Sequence, residues 1–420
     1  MKYLSTDKIY GYIDYIIPAV FVLSFFECYF SIWRLATIVK FVSILFTIIL
    51  LVKGSYKNTK ILFNAFIMVS ILSVFAYIYN NRPIECLESD VMNTIPAMLF
   101  FWVGANDDRR NRNFYNYMMY CGCAILLLGI LCYIFTPAWY TQSLLDVLNN
   151  SEFSIVRETE NSMLQSLRFS GFFEDSYPVS LLSVDIVAIS LFALFSKHRM
   201  RYSLICFIIS FTAAVLCMHR VSIASALLII FAFLIYEIYI GKSKKIIGII
   251  IGITIIIVCI SIFSESFRDR LFTLQDIITS RTEDMSFLSA YSERQELSNK
   301  LLSQWEYPIF GHGIGSGGPA SRFMGYGGVT DAGYIKLLFE NGIVGLSLFL
   351  ALAIGSIYRG IKYLKYYITE VSVICFTLLA MTGSDTLSLA YLYILPFWYM
   401  MGKIWNRNYL QYLKENHISL

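Results

Sequence analysis

Runs of about 20 mostly apolar residues recur along this chain, and they constrain its fold more than any other feature of the sequence. A helix of that length crosses the roughly 30 Å hydrocarbon core of a bilayer. The composition agrees, because 57% of the residues are hydrophobic, only 15% are charged and the mean hydropathy is positive. Soluble domains do not have this balance. The sequence therefore predicts an all-α polytopic membrane protein with about twelve transmembrane helices.

The predicted spans follow one another through residues 1–420, which we interpret as a single integral membrane domain. In chain order the spans are Tyr12 to Ser31, Leu35 to Val52, Ile61 to Tyr79, Asp90 to Ala105, Tyr115 to Thr136, Ser176 to Ser196, Tyr202 to Met218, Val221 to Ile240, Ile246 to Ser264, Ala332 to Tyr358, Ile368 to Gly383, and Leu387 to Gly402. The fourth span is short and contains Pro96, so a tilted, broken or protein-shielded helix is expected there.

Basic residues follow every second predicted span, and Lys and Arg in short loops stay cytoplasmic. These basic groups are Lys53, Lys57 and Lys60; Arg109, Arg110 and Arg112; Lys197, Arg199 and Arg201; Lys242, Lys244 and Lys245; Arg359, Lys362 and Lys365; and Lys403 with Arg407. The intervening loops are poor in Lys and Arg or are balanced by acids. Both termini are therefore predicted to be cytoplasmic. The two long polar segments, Pro137 to Asp175 and Glu265 to Asp331, are predicted to be extracytoplasmic loops.

Charge and cysteine usage exclude several classes of partner and site. The formal net charge of +4 is explained by the cytoplasmic basic groups, which face anionic lipid headgroups, so we expect membrane lipids and no nucleic acid as partners. Of nine cysteines only Cys86 lies clearly in an outer loop, so no disulfide framework is expected. The first apolar stretch lacks the pattern of a cleavable signal peptide and is expected to remain as the first helix.

The longer outer loop, Glu265 to Asp331, concentrates the groups that suit chemistry. Arg294 lies in the first turn of a predicted polar helix, and Trp305 and Pro308 follow it. The next residues form a glycine-rich turn whose backbone N–H groups can approach an anion closely, with glycines at 311, 313, 315, 317 and 318. We therefore expect the active site in this loop.

Asp331 and Tyr334 begin a helix that is predicted to lie at the membrane surface. Asp331 either caps this helix or takes part in the chemistry, and the two roles are compatible. Glu340 falls inside the nominal span, where an ionisable group is costly and faces a cavity or a partner. Alternatively, Ile335 to Glu340 lies along the interface ahead of true insertion.

Two further arginines are predicted to face the same side as Arg294. Arg168 lies at the end of the shorter outer loop, and Arg220 lies in a tight turn between two apolar spans. A guanidinium group offers planar, bidentate donors that stay charged, so three arginines on one face favour recognition of phosphate or pyrophosphate. The alternative is that single interfacial arginines bind lipid headgroups only.

No cofactor is expected from the motifs. The four histidines show no zinc-like spacing with other ligands, so no metal site is predicted. The sequence also lacks a Walker loop, a GxSxG elbow and a dinucleotide fingerprint. Any energy that a reaction needs would therefore enter with the substrate.

Arg294, Trp305, a P-x-x-G-x-G-x-G turn that starts at Pro308, and D-x-G-Y leading into E-N-G-I-V-G follow one another in order. As a set, and with the layout of spans and outer loops, these motifs resemble the O-antigen polymerase family of the bacterial O-antigen polymerase and ligase superfamily. The segment from Arg168 through SGFFEDSYP, which contains Glu174, and the segment HRVSIASALL that contains Arg220 look like further parts of the family pattern.

The resemblance implies glycosyl transfer at the outer face of the bacterial inner membrane. A sugar hydroxyl of one lipid-linked repeat unit would attack the anomeric carbon of a growing glycan, and undecaprenyl pyrophosphate would leave. Arg220 and Arg294 suit stabilisation of the departing pyrophosphate, and Asp331 suits proton acceptance or orientation of the acceptor. The candidate substrate-binding residues are Arg168, Glu174, Trp305, Gly313, Gly315, Tyr334 and Glu340. A chain-length regulator is a further partner that the resemblance implies.

Three alternatives stay open at the level of sequence. One is an O-antigen ligase or O-oligosaccharyltransferase of the same superfamily; ligases tend to have His where this chain has Asp331, which favours a polymerase. Another is a flippase for lipid-linked oligosaccharides, which would place ionisable residues along a central path, whereas here they cluster in outer loops. The last is a membrane scaffold with the long loop as a docking surface, and the clustered Arg, Trp and glycines disfavour it.

Overall fold

The structure is a computed structural model that describes a defined part of the chain. The described residues are 61–79, 84–109, 113–135, 137, 169, 171, 176–196, 200–217, 219–239, 306–318, 332–384, 386–389 and 391–415, with single positions at 11, 15, 44, 45, 48, 299 and 303. Regular secondary structure in these residues is helical, without strands. The helices are α1 (Ile61–Tyr79), α2 (Ile84–Met98), α3 (Phe100–Asn106), α4 (Asn113–Phe135), α5 (Ser176–Phe195), α6 (Met200–Leu216), α7 (Arg220–Tyr239), α8 (Gly333–Lys362), α9 (Leu364–Ala380), α10 (Thr386–Leu389), α11 (Tyr391–Trp405) and α12 (Arg407–Glu415).

Four helices in the described part are long and apolar enough to cross a membrane, namely α1, α4, α5 and α8. Helices α6 and α7 contain shorter apolar stretches, Arg201–Leu216 and Val221–Tyr236. The predicted all-helical class is therefore confirmed for the described residues, and the four long apolar helices are compatible with the predicted membrane protein. The number of spans and the sidedness of the loops stay predictions.

The bounds of the long helices agree with the predicted spans to within a few residues at most ends. The fourth predicted span differs, because Leu99 separates α2 from α3 and Pro96 lies inside α2. This break agrees with one of the expected outcomes, since proline removes a hydrogen-bond donor from the helix ladder. Helix α12, beyond the last predicted span, was not predicted. The predicted spans Tyr12 to Ser31, Leu35 to Val52 and Ile246 to Ser264 lie outside the described residues, apart from the single positions 15, 44, 45 and 48.

The chain forms two compact units. The first unit comprises residues 1–27, 32–118 and 294–420, and the second comprises residues 28–31 and 119–293. Helix α4 contributes its beginning to the first unit and its remainder to the second. The prediction of a single integral membrane domain stays a prediction, and each unit is described by itself.

In the first unit, helix α8 packs against α1 and α9, and α11 packs against α2, α3 and α9. The core between these helices is aromatic: Phe63 stacks on Phe101 with ring centroids 4.0 Å apart, and Trp398 lies 6.1 Å from Phe66 and from Phe349.

Helices α3 and α11 approach each other at two glycines. A Cβ at Gly104 would collide with the backbone carbonyl of Tyr399, and one at Gly402 would collide with that of Phe101. Small residues therefore allow backbone contact between these helices, as is typical of helix pairs in membranes.

In the second unit, α5 packs against α6 and α7 and is buried along almost its whole length. Phe169 bonds to the end of α6, because its backbone N–H donates to the carbonyl of Leu216 at 3.1 Å. A Cβ at Gly129 would lie 3.1 Å from the ring of Phe169. Asp185 lies in the middle of α5 and is also buried. Helix α5 is thus the central helix among the described helices of this unit.

Candidate functional site

The glycine-rich turn, residues 306–318, has a defined conformation in the first unit. Gly311, Gly313 and Gly315 have φ angles of 74°, 100° and 91°, which L side chains rarely adopt. A Cβ at Gly313 would lie only 2.5 Å from the Cβ of Tyr77 and 2.7 Å from the carbonyl oxygen of Ser73. Glycine is therefore required at position 313 both by its dihedral angle and by the close approach of α1.

Helix α8 is interrupted where the glycine-rich turn contacts it. Gly342 has a φ of 67° and divides α8 into a segment 333–341 and a segment 343–362. Such an interruption frees backbone groups that would otherwise bond along the helix. The carbonyl of Glu340 accepts the N–H of Gly313 at 3.0 Å and the hydroxyl of Ser73 at 2.9 Å.

The freed N–H groups on the other side of the break bond back to the turn. Ile343 donates to the carbonyl of Pro308 at 2.9 Å, and Val344 donates to that of Ile309 at 3.3 Å. The turn and the helix break therefore interlock by backbone hydrogen bonds in both directions.

The carboxylate of Glu340 receives backbone donors from the same turn. Its Oε1 accepts the N–H of Gly315 at 3.0 Å and the N–H of Gly317 at 3.2 Å. The sequence predicts that N–H groups of this turn approach an anion, and Glu340 is an anion that they reach. Substrate binding by Gly313, Gly315 and Glu340 stays a prediction.

A buried ion pair stands next to this carboxylate. Lys336 Nζ donates to Asp90 Oδ2 at 2.7 Å and lies 3.8 Å from Glu340 Oε1. All three side chains are buried. A Cβ at Gly318 would lie 2.5 Å from Asp90 Oδ2, so the end of the turn closes over the pair. The result is a compact cluster of one cation, two carboxylates and glycine N–H groups, which we call the turn cluster.

Lys336 was not predicted as a site residue, and Asp90 was predicted only as the first residue of the fourth span. A signal for Lys336 exists in the sequence, because Lys336 and Glu340 are four residues apart on one helix face and both are ionisable groups in an apolar setting. The pairing with Asp90 joins residues 246 positions apart, and no local pattern encodes it.

The beginning of α8 is anchored to the end of α9. Gly333 N–H donates to the carbonyls of Met381 at 2.9 Å and Ser384 at 3.2 Å. The hydroxyl of Tyr334, a predicted substrate-binding residue, donates to the carbonyl of Leu378 at 2.7 Å. This hydrogen bond joins the beginning of α8 to α9. Ala332 is the N-cap residue and makes no side-chain cap bond. The capping alternative for Asp331 lies outside the described residues.

The remaining predicted site residues are described in part or not at all. Arg220 is the first residue of α7 in the second unit, and its side chain lies outside what the structure describes. Its neighbour His219 is within hydrogen-bond distance of Ser176, with Nε2 and Oγ 2.9 Å apart. The other candidates outside the described residues are Arg168, Glu174, Arg294, Trp305 and Asp331. Within the described residues, the structure thus brings together Gly313, Gly315 and Glu340.

A second buried polar cluster of the first unit surrounds Asp107 at the end of α3. Arg109 donates twice to its carboxylate, from Nε and Nη2 at 2.9 Å each, and the Tyr399 hydroxyl donates to Oδ2 at 2.8 Å. Lys403 and Asn406 donate to its backbone carbonyl. Burial disfavours the carboxylate, yet the charge of Lys403 and the bonds from Arg109 and Tyr399 hold the pKa of Asp107 below its ordinary value.

Groups of three or more residues suited to hold a metal ion do not occur in the part of the chain that the structure describes. His312, one of the four histidines, stacks on Phe339 with ring centroids 4.2 Å apart, and its Nε2 accepts the N–H of Glu306 at 3.3 Å. The geometry gives this imidazole a role in fixing the turn.

A comparison with models of known protein families finds no match to this chain, and a comparison with curated proteins finds none either.

Proposed function

We propose that this protein is a membrane-embedded glycosyltransferase that polymerises a surface polysaccharide such as O-antigen. It transfers a growing glycan from undecaprenyl pyrophosphate to a sugar hydroxyl of another lipid-linked repeat unit, at the outer face of a bacterial inner membrane. Long apolar helices support a lipid-borne substrate. The motifs that resemble the O-antigen polymerase family support the reaction.

The observation that carries the proposal is the interlocking of two of those motifs. The P-x-x-G-x-G-x-G turn and the E-N-G-I-V-G segment are separated by 24 residues in sequence, yet they share backbone hydrogen bonds and the carboxylate of Glu340. The D-x-G-Y motif lies between them and leads directly into α8. A rigid support of this kind suits a site that must hold a pyrophosphate leaving group and an acceptor hydroxyl in register.

The proposed chemistry divides between arginines and an aspartate. Arg294 and Arg220 stabilise the negative charge that develops on the departing pyrophosphate, since guanidinium groups pair bidentately with phosphate oxygens. Asp331 accepts the proton of the attacking hydroxyl or orients the acceptor. An ordinary Asp pKa of about 3.9 makes a weak base, so the proton-acceptor role requires partial burial of the carboxyl group.

The experiment is a ladder of lipid-linked glycans from cells that lack the protein, complemented with wild type, Arg294→Ala or Arg281→Ala. Arg281 lies in the same predicted outer loop and is the matched control. Membrane abundance is equalised by immunoblot. We expect the deletion and Arg294→Ala to leave single repeat units, and Arg281→Ala to restore the full ladder.

Each other pattern contradicts part of the proposal. Full-length polymer that is not joined to its final acceptor would identify a ligase. Loss of all outward-facing lipid-linked repeats would identify a flippase. A ladder unchanged by the deletion would exclude the whole superfamily assignment, and an unchanged ladder with Arg294→Ala alone would exclude the role of that arginine.

A further inference from the structure

The first unit contains a cleft of about 600 Å³ at the end of α8 that is remote from the turn cluster. The end of α8, Tyr363, the end of α11 and helix α12 form its walls. Its lining includes four cationic side chains, Arg359, Lys362, Arg407 and Lys414, with no carboxylate among the lining residues. We call this feature the basic cleft.

The cations of the basic cleft have no acidic partners among the residues that the structure describes. The ion pairs among the described residues involve Asp107 or Lys336, and none involves a cation of the basic cleft. Two acids close to helix α12 bond to amides: Glu415, next to Lys414 in sequence, accepts from Gln411 at 2.8 Å, and Asp108 accepts from Asn408, next to Arg407, at 2.9 Å. Clustered like charges repel, so this arrangement favours a bound anion.

Aromatic rings lie beside three of these cations, and the ammonium group of Lys362 is 5.9 Å from the ring centroid of Tyr363. The guanidinium carbon of Arg359 lies 5.3 Å from the ring centroid of Trp405, and the indole N–H of Trp405 donates to the buried hydroxyl of Ser356 at 2.8 Å. The ammonium group of Lys414 lies 4.4 Å from the ring centroid of Tyr363. Cations held against fixed rings are preorganised, so less side-chain entropy is lost when an anion binds.

Arg359 also has a donor that the protein leaves unused. Its Nε is buried and has no hydrogen-bond partner. A buried donor without an acceptor costs free energy, and an anion oxygen in the cleft would relieve that cost. A guanidinium group matches the oxygens of a phosphate in particular, because its donors lie in one plane and bond in pairs.

The position of the cleft indicates how the phosphate is presented. The segment of α8 after Gly342 has 20 residues, 343–362, and therefore spans about 30 Å, the thickness of the hydrocarbon core. Arg359 lies near the end of that length. Ile354 and Ile361, on the same part of α8, are 63% and 57% exposed, which suits contact with acyl chains. A headgroup at the bilayer surface would reach the cleft from this side.

We propose that the basic cleft binds a phosphate group presented by the headgroup of an anionic phospholipid. The lining cations bond the phosphate oxygens, and the exposed apolar side chains of α8 pack against the acyl chains. The site is independent of the proposed glycosyl transfer, since it lies at the other end of α8, about 19 residues from the turn cluster.

The test is native mass spectrometry of the purified full chain in a non-ionic detergent. The probes are phosphatidylglycerol, phosphatidylcholine with the same acyl chains, and inorganic phosphate. We expect phosphatidylglycerol to bind at least tenfold more tightly than phosphatidylcholine, with an affinity that falls as salt increases. We expect the double variant Arg407→Ala, Lys414→Ala, in which both altered side chains are exposed, to weaken phosphatidylglycerol binding at least tenfold.

Lys365→Ala is the matched control. Lys365 is an exposed cation at the beginning of α9, and it does not line the cleft. This variant should bind phosphatidylglycerol as wild type does. Equal binding of the two lipids, or equal loss of binding in the control and the double variant, would overturn the proposal. Binding of inorganic phosphate as tight as that of phosphatidylglycerol would also overturn it, because the source would then be a soluble anion.

Discussion

At the scale of single residues, three buried charges of the first unit compensate one another. Lys336 lies between Asp90 and Glu340, and Glu340 has glycine N–H donors as well. Removal of a charge from water costs several kcal/mol unless partners compensate it, and the cost is greater next to hydrocarbon. Loss of one partner is therefore more harmful than loss of both.

We expect Lys336→Met to lower the free energy of unfolding by about 3–5 kcal/mol, because it leaves the Asp90 carboxylate buried without its cation. Methionine keeps most of the length of the lysine stem, so the substitution leaves little empty space that would lower the free energy of unfolding further. Denaturant unfolding in mixed micelles measures the change. The double variant with Asp90→Asn should recover part of the loss. If the two single effects simply add, Lys336 and Asp90 are not coupled.

Asp107 gives a prediction that depends on pH. Its pKa lies below the ordinary value of 3.8 despite burial, because of the charge of Lys403 and the hydrogen bonds from Arg109 and Tyr399. A carboxyl group with a lowered folded-state pKa stabilises the fold above its unfolded-state pKa, and that contribution is lost as the pH falls through the folded-state pKa. We expect wild type to unfold at a higher temperature than Asp107→Asn at pH 7.

The difference in unfolding temperature between wild type and Asp107→Asn should shrink as the pH falls below about 3.8 and disappear at lower pH. Scanning calorimetry in an acid-stable detergent measures it. Because both proteins share all other titrating groups, their comparison isolates this carboxyl. A constant difference across that range would contradict the lowered pKa of Asp107.

At the scale of elements, the break in α8 and the glycine-rich turn support each other. The segment 333–341 ends where Gly342 interrupts the helix, and the freed backbone groups bond to the turn. Such a break is tolerated at membrane depth only where protein shields the backbone. Here the turn supplies both the shield and the missing hydrogen-bond partners.

Substitution of two glycines in this turn tests whether glycine is required at position 313 in particular. We expect Gly313→Ala to loosen the turn, because its φ of 100° disfavours any L side chain and the new Cβ would lie 2.5 Å from that of Tyr77. Gly317→Ala is the matched control, since its nearest neighbour would be Lys336 Cγ at an ordinary 3.5 Å.

Limited proteolysis measures this difference. Cleavage within residues 306–318 should be much faster in Gly313→Ala than in wild type, whereas Gly317→Ala should match wild type to within a factor of two. Fast cleavage in both variants would mean that the turn is sensitive to any added methyl group, which contradicts the specific contact with α1.

At the scale of the whole molecule, the first unit places three of the predicted cytoplasmic basic groups at one end. Arg109 and Lys403 share Asp107, and Arg359 and Arg407 line one cleft. The turn cluster lies toward the other end of α8. This arrangement agrees with a topology in which Lys and Arg stay on the cytoplasmic side and the turn faces outward.

Single cysteines test this sidedness in a cysteine-free background. We expect Ile309→Cys, on the turn and 58% exposed in wild type, to react with a membrane-impermeant maleimide in intact cells. Glu415→Cys, exposed on α12, should react only after permeabilisation. Leu352→Cys, at a fully buried position, is the unreactive control. The reverse labelling pattern would show that the chain has the opposite orientation in the membrane.

The sequence by itself determined the membrane class, most helix bounds in the described part and the glycine-rich turn, because these depend on local composition: apolar runs long enough for a bilayer, and glycines where side chains are excluded. Only the tertiary structure decided that Glu340 is an anion bound by that turn, that Lys336 pairs with Asp90, and that Arg359 and Lys414 share a cleft. These contacts join residues far apart along the chain, and their energies come from burial and charge pairing, which no local pattern encodes.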